Sequence, residues 1–406
     1  MKNNRTFLEK LLDGAEVEWK PLKDVAEYIR GVTYNKANES TNNIGYKVLR
    51  ANNITLSGNT LNFDDIKVIK FDTKVKSSQM LYKNDILISA ASGSREHVGK
   101  VAFIYQDIDY YFGGFMGVIR CNNNVNSRYL FHIFTSSIFQ DYLNEVLNSS
   151  TINNLNSKVM DSFRLPIPPL SVQTEIVKIL DALTALTSEL TSELTLRRKQ
   201  YEYYREKLLS FDSLERLNMG GAKKKLIDVA IYAKVRILAD KLDKENYVGV
   251  ENLLQNKLGK TSSNYVPTDG AFIEYLPNDI LIGNIRPYLR KIWLSDRKGG
   301  TNGDVLVIRL TDDNILPRYL YHILANEHFF EYNIKYSKGA KMPRGDKAAI
   351  LQYEFDVPTL EEQQRIVSIL DKFETLTNSI TEGLPLAIEQ SQKRYEYYRE
   401  LLLNFE

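Results

Sequence analysis

A chain of 406 residues, 43% hydrophobic and 26% charged, is long enough for two or three folded domains and too apolar for a disordered segment. Its formal net charge of +2 removes any global electrostatic argument for a polyanionic partner, so a nucleic-acid surface would have to be local. A single cysteine, Cys121, can form no internal disulfide and fits a reducing cytoplasm, and four histidines beside it leave little for a structural zinc site. No apolar run reaches the length of a membrane span. The N-terminal MKNNRTFLEKLLDG carries charges where a signal peptide needs an apolar core, so neither an anchor nor a signal peptide is expected.

Taken in order, the chain is written twice. Trp19-Lys20-Pro21-Leu22-Lys23-Asp24-Val25-Ala26 echoes Lys223-Lys224-Lys225-Leu226-Ile227-Asp228-Val229-Ala230. Asn84-Asp85-Ile86-Leu87-Ile88 returns as Asn278-Asp279-Ile280-Leu281-Ile282, and Arg128-Tyr129-Leu130-Phe131-His132 as Arg318-Tyr319-Leu320-Tyr321-His322. The Ile-Leu-Ile runs read as buried strands and the Tyr-Leu-aromatic-His runs as the starts of packed helices. Each half is then a globular unit of mixed strands and helices, followed by one long helix. We place the boundaries at 1–160 and 213–355 for the globular parts and at 165–212 and 357–406 for the helices. Glu9-Lys10-Leu11-Leu12 echoes Glu206-Lys207-Leu208-Leu209 at the end of the first long helix. The repeat is thus cyclic, with the two termini expected close together around a pseudo-two-fold axis; chance over four residues is the alternative.

The long helices carry the strongest repeat. Leu170 matches Leu360 at an offset of 360 − 170 = 190, and Tyr201-Glu202-Tyr203-Tyr204-Arg205-Glu206 matches residues 395–400 at 395 − 201 = 194, so the second copy holds four extra residues. In the first, Ile176, Leu180, Leu183, Leu190, Leu194, Tyr201, Tyr204 and Leu208 fall on an a/d seam, interrupted by Thr187 and Arg197. In the second, Ile366, Leu370, Phe373 and Ile380 keep the rhythm, which shifts by four before Tyr395, Tyr398 and Leu402. Gly383 and Pro385 sit at the shift and predict a kink or break there. Thr359 with Glu362 reads as a capping box. Two like stripes in one chain can bury each other as an antiparallel coiled-coil-like pair; the alternative is two amphipathic helices packed on separate domains. The fold class is α+β: two mixed α/β domains in tandem, separated by the two long helices.

Motifs of catalysis do not survive inspection. Gly259-Lys260-Thr261 resembles the end of a phosphate-binding loop, but position 254 is Leu; Gly93…Gly99-Lys100 has one residue too many and is followed by Val101. Carboxylates and hydroxyls are plentiful, yet no spacing pairs them into acid–base or nucleophile sites. Basic loops do stand out. In residues 335–347, Lys335, Lys338, Lys341, Arg344 and Lys347 oppose Asp346, a local net of 5 − 1 = +4, with Gly339 and Gly345 to turn the backbone. Arg286, Arg290 and Lys291 form a second cluster. The corresponding loop of the first half, which carries Arg95 and Lys100, is different in sequence, as two readers of different ligands on one frame would require. Arginine and lysine pair phosphates or read guanine, and asparagine, here Asn284, can read adenine. Solvated surface loops are the plain alternative.

With these residues in view, the chain resembles the DNA-specificity (S) subunit of type I restriction-modification systems. Leu165-Pro166-Ile167-Pro168-Pro169-Leu170, with Gln173, Ile176, Val177, Ile179, Leu180 and Asp181, resembles the opening of that family's long helices. Val357-Pro358-Thr359-Leu360-Glu361-Glu362-Gln363 resembles its second copy. Asp24-Val25-Ala26 with Gly31-Val32-Thr33 resembles the start of a recognition domain; the second half departs, with Lys234-Val235-Arg236 and no Gly-x-Thr. The resemblance implies two target-recognition domains, each reading one part of a split DNA site. The paired helices would act as spacer and as docking surface for two methyltransferase (M) subunits. The S-adenosylmethionine chemistry, and the ATP chemistry of a restriction (R) subunit, would lie on those partners, with no cofactor, metal or catalysis in this chain. A coiled-coil scaffold whose globular halves bind proteins is the alternative function.

Overall fold

The repeated Asn-Asp-Ile-Leu-Ile segment forms a turn followed by a fully buried strand in both halves. Asn84 (φ 71°) and Asn278 (φ 72°) take the left-handed conformation that asparagine tolerates better than most residues. The next residues, Asp85 and Asp279, are buried and held bidentately: Arg120 donates to Asp85 at 2.8 and 2.7 Å, Arg309 to Asp279 at 2.9 and 2.6 Å. Strands Ile86–Ser89 and Ile280–Gly283 follow, with every residue buried.

The computed structural model of the chain describes residues 7–55, 58–92, 97–148, 154–210, 222–379 and 381–405. Its packing divides it into two units, residues 1–188 with 389–406, and residues 189–388. The division falls within the first long helix, and the C-terminal segment belongs to the N-terminal unit.

In the first unit, one antiparallel sheet runs in the order Ala26–Arg30, Met116–Cys121, Ile86–Ser89, Val101–Phe103. Ile86 and Ile88 face a core shared with the helices Ser127–Phe134 and Ser137–Asn148, while Leu87 faces a second sheet. Alternate side chains of a strand point to opposite faces, so a strand covered on both faces needs the unbroken apolar run seen here. The second unit repeats the sheet as Ala230–Tyr232, Val305–Leu310, Ile280–Gly283, Ile292–Leu294, with Ile280 and Ile282 on the helix side and Leu281 on the other. A two-stranded ribbon closes each globular part, Glu18–Pro21 with Arg164–Ile167 and Ala222–Lys225 with Glu354–Val357.

The second sheets differ in one strand. In the first unit, Lys67–Ile69 flanks Tyr46–Leu49, then Ile108–Phe112 and Met80–Leu81. In the second, Arg236–Leu238 flanks Ala271–Tyr275, then Gly299–Thr301 and Tyr247–Val248. The missing Gly-x-Thr marks this change. At Gly31 a Cβ would stand 2.1 Å from the Gly113 carbonyl oxygen, so only glycine admits that approach. The second unit makes a paired strand just after the equivalent point instead.

The first long helix spans Leu170–Leu209. The second is broken into Leu360–Asn378 and Gly383–Leu403. Gly383 (φ +81°) allows the break, since a Cβ there would stand 2.6 Å from the Thr375 carbonyl oxygen, and Pro385 sits in the following first turn, where a missing N–H costs little. Thr359 caps its helix by accepting from the Glu362 N–H. The Glu362 carboxylate does not return the bond: it takes Arg365 at 2.7 Å, so the capping box is half formed.

Within the first unit, Ile176 and Leu180 share a core with Leu402, and the Thr187 and Ser391 hydroxyls lie 2.8 Å apart. Within the second, Tyr201 and Tyr204 stack on Phe373, Leu208 packs against the core that holds Ile366 and Leu370, and Arg198 reaches the Thr377 carbonyl. Rising numbers on one helix meet falling numbers on the other, so the segments pair antiparallel in each unit. Leu183, Leu190 and Leu194 are half-buried, Tyr398 is 37% exposed, and Ile380 lies outside the described residues. Helix Phe7–Leu12 packs Leu11 and Leu12 against the first unit's core, as Tyr395 and Phe405 of the C-terminal segment do.

Candidate nucleic-acid interface

The two basic clusters of the second half, some fifty residues apart, are joined by backbone (338 − 286 = 52). Residues 338–344 form a tight loop closed by reciprocal bonds between Lys338 and Arg344, at 2.8 and 2.9 Å. That loop docks on the segment after strand Ile280–Gly283: Arg286 N–H donates to the Pro343 carbonyl at 2.7 Å and Gly345 N–H to the Asn284 carbonyl at 3.1 Å. Gly339 (φ +102°) turns the loop, and Gly345 lies where a Cβ would strike the Asn333 and Asn284 side chains at 2.4 and 2.9 Å. Arg286 and Lys341 are exposed, and among the described residues neither side chain has an ion-pair or hydrogen-bond partner. Arg286 (φ 53°) and Arg290 (φ 51°) both hold the left-handed backbone on either side of Pro287–Leu289, a strained arrangement of the kind that clusters at binding loops.

Not every residue expected on that surface is there. Asn284 is 5% exposed. Arg290 donates to Glu327 at 2.7 Å, beside Lys257 at 2.9 Å. Lys291 donates to the Val250 carbonyl at 2.7 Å, and burial holds its ammonium below the ordinary lysine range. Asn284 is thus buried and meets the loop through its backbone carbonyl, while Arg290 and Lys291 stay partly exposed with their side chains bonded to Glu327 and to the Val250 carbonyl. Lys338 is exposed but paired to Asp346 at 2.5 Å, and Arg344 to Asp304 at 3.0 Å; Lys347 is exposed at the start of its helix. In the first unit, Lys100 Nζ lies 2.6 Å from His97 Nδ1, and Arg95 lies outside the described residues.

A cleft of about 640 Å³ in the first unit has no signal in the sequence. Arg30, Tyr34, Arg50, Asn52 and Phe115 line it. They come from three separated segments that meet only once the two sheets stack, and no spacing rule links them.

Equally hidden is a constellation around a buried histidine that fastens globular part to helix in both units. His132 Nε2 lies 2.9 Å and Arg128 Nε 2.8 Å from the same Asp181 oxygen. In the second unit, His322 and Arg318 hold Asp371 at 2.7 and 2.8 Å. Burial pushes both imidazoles down against the opposing pull of their aspartates. Burial also pushes the aspartates up, but the bonds from histidine and arginine outweigh it and leave both below the usual carboxylate range. His322, Asp371 and Glu374 bring ligand atoms within 4.8 Å of one another. Arg318 already bonds both carboxylates, at 2.8 and 2.7 Å, so the cluster's negative charge is met by a guanidinium.

The family model described as the type I restriction modification DNA specificity domain matches residues 15–197 and again 220–390, the two halves just described. The chain belongs to this specificity-subunit family. A putative type I restriction enzyme specificity subunit of Haemophilus influenzae is 37% identical over 429 aligned positions, covering 100% of both chains. The EcoR124I/EcoR124II specificity subunit of Escherichia coli is 30% identical, covering 98% of this chain and 97% of its own. Among solved structures, a chain from a study of type I R-M complex assembly and conformational transition superposes with a TM-score of 0.60 at 14% identity, over 96% of this chain and 98% of that one. The HsdS subunit of Thermoanaerobacter tengcongensis gives 0.51 at 16%, over 95% and 96%. The fold is therefore that of specificity subunits: two target-recognition domains and long helices. Among the described residues, no helix of this specificity subunit is long and apolar enough to cross a membrane.

Proposed function

We propose that this chain selects the DNA site of a type I restriction-modification complex acting in the cytoplasm. Each globular domain reads one half of a bipartite target. The long helices set the separation of the half-sites and dock two methyltransferase subunits. The chemistry stays on those partners and on an ATP-driven restriction subunit: S-adenosylmethionine and ATP bind there, and this chain holds neither a cofactor nor a catalytic group.

The observation that carries this reading is the exposed basic surface of the second unit, where residues 338–344 are bonded to the Arg286 segment. In a chain of net charge +2, concentrated cationic groups on a backbone-braced loop suit the edge and phosphates of a duplex. The duplicated frame supplies one such unit for each half-site.

The test is co-expression of the full chain with its system's methyltransferase subunit, followed by co-purification and mapping of methylated bases. The expected result is a stable complex that modifies one bipartite sequence with a fixed gap. A complex that modifies a single undivided site, or a chain that never associates with the methyltransferase, would overturn the reading.

A further inference from the structure

The basic surface of the second unit has a counterpart in the first, found by following the backbone bonds rather than the residues. In the second unit, Asn284 N–H donates to the Asp304 carbonyl at 2.8 Å, and Gly345 N–H to the Asn284 carbonyl at 3.1 Å. In the first unit, Ala90 and Ala91 N–H donate to the Phe115 carbonyl at 2.9 and 3.0 Å, and Leu155 N–H to the Ala90 carbonyl at 2.7 Å. The three stations are the same: the end of the central strand, the residue before the neighbouring strand, and the segment before a short helix. Phe115 thus stands where the second unit has Asp304. The side chain there is not a carboxylate answering an arginine but an aromatic ring left 74% exposed.

That ring borders the cleft of about 640 Å³, and the polar groups across it are held in place. Arg50 and Asn52 both donate to one Asp65 carboxylate oxygen, at 2.6 and 3.0 Å. The turn that carries them is fastened from below by Asn53, 1% exposed, whose Oδ1 accepts from Arg50 N–H at 2.8 Å and whose Nδ2 donates to the Asn62 and Asp65 carbonyls. Arg30 donates to the Gly114 carbonyl at 3.2 Å, which ties the cleft's floor to the residue next to Phe115.

The chemistry distinguishes base edges from phosphates. A carboxylate within 3.0 Å of both Arg50 and Asn52 would repel a phosphate brought to them, but not a neutral base edge. Arginine, asparagine and an apolar ring are the groups that match guanine, adenine and the thymine methyl in the major groove. Resting on the specificity reading above, we propose that this cleft is the base-reading site of the first recognition domain, with Phe115 as its apolar contact and Asp65 as a positioning residue for Arg50 and Asn52.

The test uses the full chain co-expressed with its methyltransferase subunit and reads the methylated motif by sequencing. Phe115→Ala and Asn52→Ala should each relax or change a position in one half of the target, with discrimination there falling roughly tenfold or more, and leave the other half unchanged. Because Phe115 is exposed, thermal unfolding of Phe115→Ala should match the parent; Phe115→Leu, which keeps an apolar group, should retain most of the discrimination. A motif unaltered in both variants overturns the proposal while leaving bipartite recognition standing. A wild-type complex with no bipartite motif removes the underlying reading and the proposal together. Asp65→Asn separates base from phosphate. If it tightens binding to all DNAs alike and steepens the salt slope by about 0.9, the cleft is a phosphate site and the proposal is wrong.

Discussion

Removal of Arg286 and Lys341 tests the basic surface where it is most exposed. Neither side chain has a protein partner among the described residues, and the bonds that hold the loop there use backbone atoms, so the charges can go without the loop. Arg286→Gly also suits the left-handed backbone at φ 53°. For each phosphate that is no longer neutralised, the slope of log affinity against log salt should become shallower by about 0.9. From about 50 to about 200 mM salt, that is about 3.5-fold less weakening of binding per phosphate, and about twelvefold for the double variant. Lys338→Ala and Arg344→Ala should change the slope less, because Asp346 and Asp304 already balance those charges at 2.5 and 3.0 Å. The assay is equilibrium binding of the assembled complex to its target across salt concentrations, by fluorescence anisotropy. If the double variant keeps the parental slope and affinity, the surface does not meet phosphate. If the slope holds while one half of the target becomes permissive, these side chains meet bases instead.

The Arg–His–Asp constellation is expected to be structural: Asp181→Ala removes the acceptor of Arg128 and of the fully buried His132 and should cost about 2 kcal/mol, lowering the unfolding temperature by roughly 4–8 °C. An unchanged melting curve would refute that role. Since burial depresses both His132 and His322, the unfolded chain takes up their protons first as pH falls; stability should be level above about 6.5 and decline below it. Denaturant unfolding at neutral and mildly acid pH checks this, and equal stabilities would contradict it. Exchanging residues 20–150 for the corresponding segment of a related subunit should change one half of the methylated motif only; a change in both halves would defeat the two-reader model. The first long helix, at 40 residues about 60 Å long, contains Thr187-Ser188-Glu189-Leu190 followed by Thr191-Ser192-Glu193-Leu194. A third copy of this block adds about 6 Å with only about 40° of excess rotation, and should lengthen the preferred gap by one or two base pairs; two inserted residues should destabilise the helix pairing instead. An unchanged gap in a folded variant would dismiss the helix as a ruler.

The sequence alone carried the duplication, the two buried strands, the ends of the helix seam at Ile176, Leu180 and Leu402 and at Tyr201, Ile366 and Leu370, and the break in the second helix, because each of these is a local or periodic property. A strand buried on both faces needs Ile-Leu-Ile, a helix seam needs its heptads, and Gly383 with Pro385 favours a break just before a helix that starts with them. The family resemblance rested on the same short segments, Gln173 and Gln363 among them. The structure gives those two their reason: each side chain donates to a proline carbonyl at the helix start, Pro168 at 2.8 Å and Pro358 at 2.9 Å. What only the tertiary structure decided was which charged groups are available. Arg290 and Lys291 look like Arg286 in sequence, yet Glu327 and the Val250 carbonyl hold them at 2.7 Å each. The cleft of the first domain was equally illegible, since Arg30, Arg50 and Phe115 are made neighbours by strand pairing between segments distant in the chain. Short-range pattern encodes which face of an element is buried; which side chains meet at the end of a sheet depends on how non-local strands pair, and periodicity does not report that.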